Sequence, residues 1–287
     1  MSASMVARKT LTYCADQLRR YDRDRFQVAL FASEERREAI FALYAFNLEI
    51  AKTAESVTES TLGQIRLQWW RERIDEIYAG QARAHQVIEP LARAVRDLKL
   101  TRELFDRLLD GREFDLEGRA PRDLAELETY AEATSASLIH LSLEILGAEE
   151  GEDARVAGRH VGIAYALTGL LAAVPFHARQ KRVYLPEDHL AVAGVDRGLL
   201  FELQGSERLS GVAMRLAGRA REHLEAGRAA RPVISRAARM ALLPAVVAER
   251  RLDRLAKADF DPFAPELADP DHLQVWHLAW KSLRGRY

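Results

Sequence analysis

The stretch that decides the fold is "LTGLLAAVPFHARQKRVYLPEDHL", residues 167–190. It starts inside the longest uncharged run of the chain, residues 161–176. It leaves through a loop carrying Arg179, Lys181 and Arg182, then Tyr184, Leu185 and Pro186. The uncharged run is shorter than the roughly 20 residues that cross a bilayer. Tyr165, Thr168 and Pro175 also interrupt it, so it reads as a buried core helix. That helix is expected over about 153–179 with a kink at Pro175, because proline removes a backbone donor.

Working outward, nearly everything else reads as helix. Ala, Leu, Arg and Glu dominate, and alternating β-branched runs are scarce. Ser33 is a suitable N-cap, with Glu34 and Glu35 in the first turn, where the helix dipole favours anions. Ile40, Leu43, Tyr44 and Phe46 then recur at helical spacing. "LGQIRLQWWRERIDEIYAG" (62–80) stops at Gly80, and helices over 87–98 and 101–116 follow. "ELETYAEATSASLIHLSLEILG" (126–147) stops at Gly147, a good C-terminal cap. Beyond the loop come 207–227, 231–256 with Pro232 in its first turn, and 272–283. In the last of these Trp276, Trp280 and Leu283 form a packing stripe. No repeat or composition break divides the chain, which reads as one all-α domain over 1–287.

Composition narrows the function. Of 287 residues, 48% are hydrophobic and 30% charged, enough for a sizeable core, and the net charge of −1 gives no nucleic-acid footprint. The single cysteine, Cys14, excludes an internal disulfide and a multi-cysteine zinc site, and fits a reducing compartment. The N-terminus lacks the apolar core of a signal peptide. The eight histidines show no HxxxH or HExxH spacing, so His140 and His160 read as satisfied side chains. No GxSxG, glycine-rich phosphate loop or dinucleotide fingerprint occurs. Glu113, Asp115 and Glu117 alternate, so they would not share a helix face and read as solvated. Trp69 and Trp70 point about 100° apart on their helix: one packs and the other is a candidate interface anchor, or both are partly buried. Thr134, Ser135 and Ser137 bond back to their own backbone or face a ligand.

Three blocks carry a resemblance: "ERREAIFALYAFNLEIAKTAES" (35–56), "ELETYAEATSASLIHLSLEILG" (126–147) and "YALTGLLAAVPFHARQKRVYLP" (165–186). Together they resemble the squalene/phytoene synthase family, from about residue 13 onward. The resemblance implies an isoprenoid-synthase-type helical bundle around a central apolar cavity. It also implies head-to-head joining of two prenyl diphosphates. That reaction needs Mg²⁺ held by paired aspartates, four apart on facing helices, to take up the departing diphosphate charge. The first aspartate pair falls here on Ala51 and Glu55, and the second on Ala173 and His177. Family arginines fall on Leu48 and Ala172, and the Gln and Asn one turn upstream on Ala166 and Gly169. One carboxylate cannot build a multi-metal clamp, and His177 is a poor ligand for Mg²⁺. What survives is mostly frame: Arg37, Tyr44, Phe46, Tyr130, Arg182, Tyr184, Leu185 and Pro186.

The segments 42–51, 65–78, 127–147, 177–186 and 259–263 are similar to the branch of this family that assists assembly of mitochondrial respiratory complex I. The resemblance therefore implies a protein without catalysis, without metal or cofactor, working through a protein partner. An isoprenoid or other lipid would lie in a cavity lined by Tyr44, Phe46, Tyr130, Leu167, Leu170, Leu171, Val174, Arg179, Arg182 and Tyr184. The basic group Arg179, Lys181 and Arg182 would hold an anion or a lipid head group, or simply neutralise the last helix carbonyls. Peripheral membrane contact fits this reading. The location would be the bacterial cytoplasm, at the inner membrane, or the mitochondrial matrix. Two rivals stand. One is a Mg²⁺-dependent prenyl transferase using Glu49, Glu55 and Glu59, with Glu55 and Glu59 sharing a face if their helix continues. The other is a carrier of an isoprenoid or quinone-like lipid.

Overall fold

The computed structural model describes residues 11–55, 59–148, 151–229 and 234–287, which contain seventeen α-helices and no strand. The first half runs α1 (Tyr13–Tyr21), α2 (Arg23–Ala29), α3 (Glu34–Ala51), α4 (Ser60–Tyr78), α5 (Ile88–Leu98) and α6 (Arg102–Glu113). α6 tightens into a 3₁₀ turn, Phe114–Leu116. α7 (Leu124–Ala131) passes through a π turn, Glu132–Ala136, into α8 (Ser137–Ile145). α9 (Glu152–Ala172) and α10 (Val174–Arg179) carry the opening stretch. They are followed by α11 (Glu187–Ala193), α12 (Arg197–Phe201), α13 (Glu207–Ala229), α14 (Arg236–Ala241), α15 (Pro244–Lys257), α16 (Pro265–Ala268) and α17 (Gln274–Leu283).

Two apolar cores meet at α8. In the first, α3 is buried on nearly every side from Ile40 to Ile50, and Phe46 lies between Trp70 and Phe105, with ring centroids 5.2 and 5.5 Å away. The second surrounds α9, where Val161, Ala164, Leu167 and Leu171 pack with Leu216, Ala217 and Ala220 of α13 and Ala248 of α15. Leu138 and Leu141 of α8 face the first core, Ile139 and Leu143 the second. α9 approaches the π turn closely: a Cβ on Gly162 would sit 2.4 Å from Ala136 Cα. The fold is one all-α domain.

Three expectations need correction. The helix expected over 153–179 does not kink at Pro175 but ends at Ala172; Ala173 (φ −91, ψ 1) breaks it, and Pro175 sits in the first turn of α10. A proline has no N–H to continue a ladder, but it is well suited to a first turn. The same reason splits the segment expected over 231–256, since Pro244 opens α15; Pro232 lies outside the described residues. Trp276, Trp280 and Leu283 are not a packing stripe: they are 72, 55 and 84% exposed. The buried face of α17 is Gln274 and Leu278 instead.

Candidate functional site

The end of α3, the 3₁₀ turn, α7, α10 and the loop after it converge on one polar cluster. Arg182 reaches back from the loop and donates to the carbonyl of Ala54 at 2.8 Å, taking up an orphan oxygen just past α3. Tyr184 donates to Asp115 Oδ1 at 2.7 Å. Arg112 donates to Asp115 Oδ2 at 3.2 Å and to the Tyr130 hydroxyl at 2.9 Å. Asp115 is buried: seven residues past Leu108, it falls on the same side as the buried face of α6. The expectation that it is solvated was wrong.

Aromatic rings close the space around these polar atoms. Tyr130 and Tyr184 lie 5.8 Å apart by centroid, Phe114 stands 5.4 Å from Tyr130, and His177 lies 4.5 Å from Tyr184. Burial pushes both tyrosine hydroxyls well up, so they stay protonated. Burial lowers His177 to about 4; Asp115 opposes the shift and Arg182 adds to it. His177 is therefore neutral at ordinary pH. At the open edge, partial desolvation raises the Glu55 carboxyl against the pull of Lys52 and Arg182. The void bordered by Leu170, Val174, His177, Arg182 and Tyr184 measures only 10 Å³, about one water.

The remaining residues singled out in the sequence are dispersed. Tyr44 is buried in the first core, where Ser142 donates to its hydroxyl at 3.4 Å, and Phe46 lies wholly inside that core. Leu167 and Leu171 are buried in the second core. Arg179 and Lys181 are exposed. Thr134 donates to the carbonyl of Tyr130 at 2.7 Å, a local backbone bond inside the π turn. His140 pairs with the Arg155 carbonyl at 3.0 Å, and His160 with His223 at 2.9 Å. Trp70 is buried and Trp69 is 36% exposed. Cys14 is buried, which pushes its thiol up to about 12.

A family model described as squalene/phytoene synthase matches residues 18–284. The chain belongs to the squalene/phytoene synthase family. Within it, the chain is 35% identical over 285 residues to "NADH dehydrogenase (ubiquinone) complex I, assembly factor 6" of Bos taurus, covering 99% of this chain and 85% of that one. It is 33% identical to the protein of the same description from Homo sapiens, covering 96% and 82%. A chloroplastic phytoene synthase of an Oncidium hybrid is more distant, 24% identical over 87% of this chain and 62% of that one. Among solved structures, a dehydrosqualene synthase bound to a ligand superposes with a TM-score of 0.82 at 20% identity, covering 95% and 94%. Squalene synthase HpnC from Alicyclobacillus acidocaldarius gives 0.76 at 17%, covering 87% and 94%. These last two likenesses concern the fold.

Ala51 closes α3 and Ala173 fills the α9–α10 break, so methyl groups stand at two of the positions where the resemblance leads one to expect carboxylates. Glu55 and Glu59 do not share a helix: α3 stops at Ala51, and Glu59 precedes α4. Glu49 is paired with Arg66 at 3.0 Å. Both oxygens of Asp115 are already bonded. No three His, Cys, Asp or Glu side chains among the described residues are grouped to hold a metal. The residues present do not fit a magnesium–diphosphate clamp. Gly169 leaves room for Arg251: a Cβ there would stand 3.1 Å from its Nη1. Arg251 and Arg25 flank the Tyr165 ring at 4.7 and 5.0 Å, and pair with Asp24 and Asp22. Sequence reading missed Arg112, Phe114 and this second network, and took Asp115 for a solvated residue. The available signal was the three-residue spacing of Arg112 and Asp115, which brings the two side chains together on one helical turn.

Proposed function

We propose that this chain is a non-catalytic member of the squalene/phytoene synthase family that assists assembly of respiratory complex I by binding a partner protein. The observation that carries this reading is the filled site: Ala51 and Ala173 supply no oxygen, while Asp115 is locked between Arg112 and Tyr184. The similarity to assembly factor 6 over nearly the whole chain supplies the direction. No metal or cofactor enters the reading. An isoprenoid or lipid between Leu167, Leu170, Leu171 and Val174 would first have to part packed side chains, since the void bordered by Leu170 and Val174 is 10 Å³. Peripheral membrane contact belongs to the same reading; no helix among the described residues is long and apolar enough to cross a membrane. The compartment would be the one where complex I is built, the bacterial cytoplasm or the mitochondrial matrix.

The test is deletion of the gene in its own host. The expected outcome is a loss of assembled NADH:ubiquinone oxidoreductase on native gels, restored by the natural gene and by an Ala51→Gly, Ala173→Gly version. Unchanged complex I in the deletion strain would overturn the reading.

A further inference from the structure

α17 is fastened by one face only. Gln274 donates to Asp24 and Gln27 at 2.7 and 2.8 Å, and Leu278 is wholly buried with Val28, Tyr165 and Val246. The other face carries Leu273, Trp276, Trp280 and Leu283, which are 56, 72, 55 and 84% exposed. At 100° per residue these four fall within about 80° of arc. They make a continuous convex apolar ridge along the helix.

Beside its C-terminal end lies a basin of 320 Å³ lined by Arg236, Arg239, Arg284 and Arg286 with Met240 and Leu243. None of the four guanidiniums makes an ion pair among the described residues, and no carboxylate side chain lines the basin. Nearby cations are paired: Arg228 and Lys281 with Glu249, Arg250 with Asp271. In a chain of net charge −1, four arginines gathered around one hollow concentrate positive potential. Arg284 stacks on Trp280 at 3.9 Å, joining basin to ridge.

We propose that α17 is an interfacial docking helix for anionic phospholipid bilayers. Leu273, Trp276, Trp280 and Leu283 enter the boundary between head groups and acyl chains, where tryptophan is favoured. Arg236, Arg239, Arg284 and Arg286 hold lipid phosphates, which guanidinium forks match in geometry. A protein partner would have to supply a groove for a convex ridge and acids for the adjoining basin. An anionic bilayer supplies both by its ordinary layering, acyl chains beneath phosphates. The proposal stands on α17 and its neighbours, and does not need the assembly reading.

The experiment is vesicle flotation of the full chain. Phosphatidylcholine vesicles are compared with phosphatidylcholine–phosphatidylglycerol vesicles, and the natural chain with Trp276→Ser/Trp280→Ser and Arg284→Ser/Arg286→Ser. All four side chains are exposed, so the fold should persist, and thermal melting of each variant checks this. The natural chain is expected to bind the anionic vesicles selectively and to be released by salt. Each arginine removed should weaken partition about fivefold, and the tryptophan pair should remove binding. Absence of binding, equal binding to both vesicles, or undiminished binding by folded variants would overturn the proposal. So would a dimer of the natural chain that the tryptophan variant dissolves without any vesicle binding, because a second copy would then cover the ridge.

Discussion

Asp115 receives Tyr184 on one oxygen and Arg112 on the other, and Arg112 also holds Tyr130. Three side chains thus depend on one buried charge. Asp115→Asn would leave Arg112 buried without its counter-charge, which costs about 3–5 kcal/mol; urea unfolding should show a loss of that order. His177 gives a pH signature. Its pKa in the fold is about 4, below the ordinary value of 6.5. The unfolded chain therefore takes up a proton here that the folded chain refuses. Above about pH 6.5 His177 has no effect; stability falls as pH drops from 6.5 towards 4, then levels off. His177→Phe keeps a ring against Tyr184 and should flatten that decline, read as the difference between the two pH–stability curves. His140, His160 and His223 are lowered too, but they are present in both proteins, so the difference belongs to His177. The alanines at 51 and 173 were legible in the sequence. Asp115 was only half legible: its spacing from Arg112 was there to read, but its other partner, Tyr184, lies 69 residues further along the chain.

The element that orients this cluster is the interrupted helix of α7, the π turn and α8, seated against α9. The extra residue of a π turn shifts the helical register, and the turn begins two residues after Tyr130, at Glu132. α9 meets it at Gly162, where a Cβ would stand 2.4 Å from Ala136 Cα. In an open helix Gly→Ala gains up to about 1 kcal/mol. Overpacking against backbone costs about 1–3 kcal/mol or more, so Gly162→Ala should destabilise, with a lower melting temperature in calorimetry. Helix identity and several stops were readable: Gly80 and Gly147 do adopt left-handed geometry, φ 73 and 67, at the ends of α4 and α8. Prolines 175 and 244 were harder, since a proline that starts a helix and one that kinks it look alike in a string of helix formers. The outward face of α17 was harder still. Helical spacing shows that Trp276, Trp280 and Leu283 share a face, but not whether another element covers it.

Across the whole molecule, the chain keeps the all-α fold shared with solved squalene and dehydrosqualene synthases, while bonds between its own side chains fill the polar cluster at Asp115. The frame is set by long apolar helices and the loop through Tyr184, Leu185 and Pro186, which is why the family could be read from sequence. The filling of the site is set by pairs far apart in the chain, such as Arg182 with Ala54, Tyr184 with Asp115 and Arg251 with Asp24. No local pattern encodes these. The most direct test is a turnover assay: the purified chain with farnesyl or geranylgeranyl diphosphate, NADPH and Mg²⁺, extracted for C30 and C40 products and run beside a metal-free control. The expected result is no product above the protein-free blank, with or without Mg²⁺. Mg²⁺-dependent squalene or phytoene at enzyme-like rates would contradict it, and would mean that the bonds holding Asp115 open to admit a metal.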